Sequence, residues 1–393
     1  MICQYYYPEP FRISDICEEL VKRGHSVKVV TGIPNYPMGK IYSEYRKRQK
    51  RDEIINGVIV HRCFTIGRRS GAIFRFLNYY SYAISSEMYV SGLKDEYDVV
   101  FVNQLSPVMM ALAGIRYKKM YGKKLILYCL DLWPESVVTG GIKKESALYK
   151  YFLKVSSEIY QQADKILISS KMFRDYFFDM FGISGEFVEH LPQYAESVFS
   201  NKSCKQHKNN IIDFVFAGNI GKAQSVETII EAARILYAPN MEKQIRFHII
   251  GDGSHLSRCK RLAECLENVV FYGRKPYEEL SDFYDMADAF LVTLSADEDI
   301  SRTLPGKVQS YMAAGKPIIA AASGETRYVI EDAQCGFCCE PENPAALADT
   351  ILMFVNCEIY EKLSSNASKY YQENYGKAGF MMQLENNLIG AWA

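Results

Sequence analysis

The sequence lacks a net charge: 46 lysines and arginines balance 46 aspartates and glutamates. Nothing global therefore points to nucleic acid, whose phosphates favour a strongly basic chain. No run of about 18 consecutive apolar residues occurs, so no membrane-spanning helix is expected. No signal peptide is read before Tyr5, and the expected location is cytoplasmic. There is no short-period repeat and no low-complexity tract. Neither half contains G-x-G-x-x-G, which argues against a dinucleotide fingerprint. Cysteines do occur, 11 of them, but scattered through apolar patterns such as those around Cys17, Cys63 and Cys129. That usage suits reduced, buried thiols in a cytosolic protein. Cys335-Gly-Phe-Cys338-Cys339 contains one C-x-x-C spacing with no second cluster, and it reads as a turn followed by a strand.

The chain is 393 residues long, 48% hydrophobic and 23% charged, a size and composition that favour two soluble domains. Strand and helix patterns alternate throughout. Apolar runs at 27–31, 58–62, 99–103, 125–129 and 166–169 read as strands, with helical patterns at 11–23, 72–93, 108–121, 146–162 and 171–181 between them. Leu191-Pro-Gln-Tyr-Ala195 and the polar stretch 200–210 form a linker. A second alternating set begins at Asp213, with strands at 214–217, 247–250, 269–272, 289–294 and 317–321. Such alternation predicts two Rossmann-like α/β domains with parallel sheets facing one cleft. The domains are expected at 1–192 and 193–375, with a closing helix over 376–393 joined to the first. Ile2–Tyr6 reads as a central first strand, short for that place, so residues upstream of Met1 are expected.

The segment Asp131-Leu-Trp-Pro-Glu-Ser136 follows the strand-like run Lys124–Leu130. In open α/β sheets the C-terminal strand edge is where ligands bind. Carboxylates beside an indole suit a polyhydroxyl ligand, the oxygens taking hydroxyls and the ring taking an apolar sugar face. Asp131 is thus a candidate base or acceptor-orienting group, or else a turn acid. Trp133 either stacks on sugar or packs. In the second half, Ala217-Gly-Asn-Ile-Gly221 and Gly251-Asp-Gly253 each follow a strand and lead into a helix, whose free amides favour an anion. Arg302-Thr-Leu-Pro-Gly-Lys307 places two cations at another helix start, with Pro305 near position N1. That chemistry suits a diphosphate, or else a solvated basic turn.

With these motifs in order along the chain, the sequence resembles the retaining GT-B glycosyltransferases of family 4, in the polysaccharide-assembly branch that includes fucosamine transferases. The residues that carry the resemblance include Gln4–Arg12, Thr31–Pro37, Gln104–Pro107, Asp131–Ser136, Gly218–Gly221, Thr303–Pro317 and Gly324-Glu325. It implies a nucleotide-sugar donor, a UDP-linked N-acetylamino sugar, held by the second domain. Gly218, Asn219, Gly221, Arg302, Lys307, Gln309, Ser310, Arg274 and Glu325 would form that donor site. It implies a lipid-linked glycan acceptor in the first domain, met by Glu9, Arg12, Asn35, Tyr36 and Trp133. Asp131 and Glu135 would be the catalytic carboxylates, with retention of anomeric configuration, no cofactor and no metal. The family's E-x7-E acids fall here on Arg302 and Ser310, neither acidic, which leaves Gln309 or Ser310 for the ribose. Two alternatives stand beside this reading: a non-catalytic sugar-nucleotide-binding partner and a UDP-sugar epimerase.

Arg46-Lys-Arg-Gln-Lys-Arg51, with Arg68, Arg69 and the apolar, aromatic stretch Ala72–Tyr82, reads either as peripheral contact with an anionic membrane face or as a solvated loop beside a core helix.

Overall fold

In the computed structural model of the chain, the residues described are 1–69, 71–138, 141–196, 199, 210–237 and 244–392. The polar linker stretch 200–210 lies outside them except for Asn210. They form two compact units: Met1–Ser169, Phe173–Leu191 and the chain from Met381 onward in one; Ser170–Met172 and Pro192–Phe380 in the other.

The first unit contains β1 (Lys28–Gly32), β2 (Asp52–Ile55), β3 (Val58–Cys63), β4 (Val99–Gln104), β5 (Lys124–Cys129), β6 (Lys165–Ile168) and β7 (Val188–His190). Their order is β2-β3-β1 and β4-β5-β6-β7. Ile2 bridges β1 and β4 in parallel, at Val30 and Val102. The expected first strand, 2–6, is therefore central as read but reduced to a bridge. The backbone holds both neighbours only near its start: Cys3 N donates to Val30 O (3.2 Å) and Asn103 N to Ile2 O (2.9 Å). A turn follows at Tyr7-Pro8. Every pairing is parallel except β2 with β3. The β2–β3 hairpin turns on Asn56-Gly57, both at positive φ (48° and 84°), the dipeptide that a tight primed turn demands.

The second unit is a six-stranded sheet of β8 (Ile211–Ala217), β9 (Gln244–Ile250), β10 (Val269–Gly273), β11 (Ala289–Thr293), β12 (Ile318–Ala321) and β13 (Gly336–Cys339). The order is β10-β9-β8-β11-β12-β13, all parallel. Cys338 and Cys339 lie in β13, as the turn-and-strand reading expected. Phe214–Ala217 of β8 and all of β11 and β12 are buried without alternation, because helices cover both faces of such a sheet.

The helix expected from residue 171 begins at Phe173, since Ser170–Met172 belong to the second unit. The last helix, Lys377–Trp392, joins the first unit from Met381. There Glu385 accepts from His25 (2.7 Å) and Arg23 (2.9 Å). Among the described residues no helix is long and apolar enough to cross a membrane.

Candidate functional site

The order of the second sheet reverses direction between β8 and β11, and a crevice opens in such sheets beyond the strand ends at that switch point. Gly218 follows β8 there, and the helix Gly306–Ala313 follows β11 after a connection that contains the short helix Glu298–Ser301. Lys307 lies in the first turn of that helix. Its Nζ sits 3.8 Å over the Phe216 ring centroid and has no hydrogen-bond partner among the described residues. Burial of the ammonium pulls its pKa down to about 7. A Cβ at Gly218 would stand 2.9 Å from this Nζ, so glycine leaves room for the amine. Tyr311, one turn further on, clamps the helix to the strand end. Its hydroxyl accepts from Ala217 N (2.9 Å) and donates to Ala217 O (3.1 Å), and its ring stacks on Phe290 at 3.9 Å.

The two glycine loops are laced together. Gly218 N donates to Ile250 O (2.9 Å) and Ile220 N to Asp252 O (2.8 Å). A Cβ at Gly251 would come within 1.8 Å of Gly218 O, at a φ of +144°. Asn219 is exposed, and its amide lies against Gly221 and Gly253, where a Cβ would meet it at 2.8 Å in each case. The loops thus give a rigid backbone wall beside the Lys307 amine.

Other expected donor residues are placed differently. Arg302 follows the short helix Glu298–Ser301, and its guanidinium is engaged by Glu298 at 2.6 Å. Gln309 is buried; in the orientation that satisfies both ends, its amide nitrogen donates to Gly306 O (3.2 Å) and Pro305 O (3.1 Å). Ser310 Oγ donates to Gly306 O at 3.2 Å. Both side chains thus spend their hydrogens on their own helix and offer a ribose only acceptor oxygens. Glu325 is buried and accepts from the backbone of Lys171 (3.3 Å) and Met172 (3.1 Å). Burial raises its pKa against the pull of those amides. It anchors a segment of its own unit. Arg274 is exposed just past β10.

In the first unit, Asp131 stands past the end of β5 and is partly exposed. Its Oδ2 accepts from Ser106 Oγ, which lies 2.7 Å from Ser136 Oγ. Gln104 Nε2 donates to Asp131 O at 2.9 Å. Burial raises the Asp131 carboxyl above the usual range, while the Ser106 hydroxyl and the Arg68 charge oppose the rise. Arg68, which sequence reasoning had used only as a flanking charge, lies 5.7 Å over the Tyr79 ring. A buried amide network holds its loop: Gln4 Nε2 donates to Asn78 Oδ1 (2.7 Å), Asn78 Nδ2 to Ile66 O (2.6 Å), and Arg68 N to Asn35 Oδ1 (3.1 Å). No local motif announces Arg68; only the packing of separate loops brings its charge within electrostatic reach of Asp131.

The same geometry corrects several acceptor expectations. Trp133 is 1% exposed, edge-on to Tyr79 (5.9 Å) and Phe152 (5.4 Å), so it packs rather than stacks on a ligand. Glu135 is buried, accepting from Tyr149 (2.7 Å) and Tyr176 (3.1 Å) and paired with Lys144 (3.2 Å). It is an interior hub, four residues along the chain from Asp131 at the start of the short helix Glu135–Val138. Asn35 is buried and uses both amide ends within the loops. Glu9 is buried too; its Oε1 accepts from the amides of Asn35 (2.8 Å) and Tyr36 (2.6 Å), and desolvation pushes its pKa up to about 7. Tyr36 is half-buried against Phe11 (5.1 Å), and Arg12 stands at the N-cap position of the helix Ile13–Lys22 without a side-chain cap hydrogen bond.

Comparison with known proteins agrees with this architecture. Residues 12–193 match the model of Glycosyltransferase Family 4, and residues 199–373 match that of Glycosyl transferases group 1. A probable glycosyltransferase, WbjE of Pseudomonas aeruginosa, is 26% identical over 71% of this chain and 71% of its own length. The putative colanic acid biosynthesis glycosyl transferase WcaI of Escherichia coli K12 is 23% identical over 96% of this chain and 95% of its own. Among solved structures, Anabaena HepE in complex with UDP superposes with a TM-score of 0.71 over 99% of this chain and 98% of that one, at 13% identity, a likeness of fold.

Proposed function

Since the chain is a hexosyltransferase-type glycosyltransferase, with a family 4 domain followed by a group 1 domain of the GT-B fold, we propose that it moves a sugar from a UDP-linked N-acetylamino sugar to a lipid-linked glycan in surface polysaccharide assembly, with retention of configuration. The observation that carries the reading is the Lys307 ammonium, buried without a hydrogen-bond partner among the described residues, beside the Gly218 backbone at a sheet switch point. A buried cation without an anion is unfavourable, and a diphosphate supplies the missing charge. The names of relatives point the same way: WcaI is assigned to colanic acid biosynthesis, and HepE has been solved with UDP.

In this reading negative charge grows on the leaving diphosphate, and Lys307 meets it with a preorganised ammonium. Arg302, already partnered by Glu298, adds a second cation nearby in sequence. The Gly218–Gly221 backbone lines the same strand end, with the Gly218 and Ile220 amides already given to Ile250 O and Asp252 O. The sugar centre becomes oxocarbenium-like, and Asp131 orients or deprotonates the acceptor hydroxyl, assisted by Ser106 and by Arg68. An internal-return route would let the leaving phosphate take that proton instead. No metal is required for either route.

Thermal-shift screening of UDP-sugars tests the donor. A bound ligand raises melting temperature by mass action. A UDP-sugar should stabilise the wild type and stabilise Lys307→Met much less at the same concentration. Turnover with lipid extracts should then yield a glycosylated lipid. Isomerised UDP-sugar formed without acceptor would replace this reading with epimerisation.

A further inference from the structure

We propose that the outward face of the helix Ala72–Ser91 is a docking surface for an anionic lipid bilayer, on which the helix lies flat. The purpose assigned to it rests on the lipid-linked acceptor proposed above; the surface itself does not. Ile73, Leu77, Ile84 and Met88 are 74%, 44%, 56% and 71% exposed, and Tyr80 between them is half-buried. At about 100° per residue these five fall within an arc of about 80°, a stripe about 22 Å long. The opposite face, with Tyr79, Tyr82, Ala83 and Val90, is in the core. A helix at a protein surface ordinarily turns charge and polarity outward; this one is apolar on both sides.

A second helix, Ala147–Tyr160, widens the surface. Phe76 stacks on Phe152 at 5.7 Å, the Tyr80 and Tyr151 hydroxyls lie 3.5 Å apart, and Tyr151 is 51% exposed. The charges around the stripe select the occupant. From Ile54 to Ser86 there is no aspartate or glutamate, but there are four arginines. Of these, Arg69 and Arg75 are exposed beside Ile73, with the Arg69 guanidinium 5.6 Å over the Phe74 ring. Lys150 and Lys154 are exposed along the second helix, Lys154 facing the exposed Glu158 at 3.9 Å. Glu87 is the single acid of the first helix, near its far end. An apolar stripe bordered by cations fits an acyl layer beneath anionic headgroups. A second copy of the chain would bring the same cations against themselves.

The test is co-sedimentation of the full chain with vesicles of phosphatidylcholine, alone or mixed with phosphatidylglycerol. The wild type should sediment with the mixed vesicles. Ile73→Gln with Leu77→Gln should lower that affinity about tenfold or more. Arg69→Gln with Arg75→Gln should abolish the preference for phosphatidylglycerol. Stabilisation by UDP-sugar should be the same in all three proteins, which establishes their fold and separates this proposal from the donor reading. Vesicle binding without UDP-sugar stabilisation in any of them would sink the donor reading and leave this one standing. Docking is overturned if the wild type stays in the supernatant or if the apolar variant binds as well as the wild type. It is equally overturned if light scattering shows a wild-type dimer that the apolar variant converts to monomer while neither sediments.

Discussion

Above pH 7 the free protein should lose the ammonium of Lys307, and donor affinity should fall with it. Burial takes this group from 10.5 to about 7. At about 1.4 kcal/mol per tenfold step, the charged form is disfavoured by on the order of 5 kcal/mol relative to water. A diphosphate against Nζ removes most of that penalty, so the complex keeps the proton to a much higher pH. Binding at pH 8 then requires that about nine in ten molecules take one up, and the apparent dissociation constant rises about tenfold per pH unit above 7. Calorimetry with UDP-glucose isolates the effect, because its diester diphosphate does not titrate here. Two buffers of different ionisation heat report the protons bound, close to one at pH 8 and few at pH 6. Lys307→Met should bind about ten- to a hundredfold more weakly at pH 6, with a flat pH profile. Without ligand the sign reverses: below pH 7 the lysine is charged in both folded and unfolded chains and the folded one bears the whole penalty. Lys307→Met should therefore melt higher than the wild type at pH 6, the gain shrinking as pH climbs toward 10.5. Wild-type affinity that is constant from pH 6 to 9, or a methionine variant with the wild-type profile, would refute the reasoning.

Four further outcomes are expected. Asp131→Asn should cut turnover about a hundredfold or more at unchanged donor affinity, and unaltered turnover removes Asp131 from the chemistry. Glu135→Gln should leave turnover near wild type while lowering thermal stability, since Glu135 serves Tyr149, Tyr176 and Lys144. Glu9 rises from 4.5 to about 7, so its contribution is most favourable below the unfolded value and diminishes as pH climbs to 7. Glu9→Gln should then gain up to about 3 kcal/mol over wild type at pH 8 and nothing at pH 4, read by denaturant melts. Gly251→Ala, which drives a Cβ to 1.8 Å from Gly218 O, should destabilise by about 2 kcal/mol or more. Gly218→Ala adds strain at a φ of +156° and puts a Cβ 2.9 Å from the Lys307 Nζ, so it should lose donor stabilisation and also melt lower.

Much of the architecture was legible in residue order. Uninterrupted apolar runs such as those that became β5, β8 and β11 mark strands covered on both faces, and helical patterns between them leave a parallel sheet as the solution. The edge strand β2 escaped because Asp52–Ile55 is short and exposed at alternate positions; the unread dipeptide Asn56-Gly57 is the signal that could have found its hairpin. Lys307 and Gly218 could be named because a glycine loop and a cation at helix starts have local spellings. The position of Lys307 over Phe216 had no such spelling.

Within Asp131–Ser136 the sequence by itself determined that two carboxylates and an indole stand past a strand end. Only tertiary packing decided that Asp131 stays partly exposed, bonded to Ser106 and within electrostatic reach of Arg68, while Trp133 and Glu135 turn into the core. Local spacing sets which residue types share a segment. Which of them meet water depends on groups far along the chain, such as Tyr79, Phe152 and Tyr176, that take up the hydrogen bonds and apolar surface the segment offers.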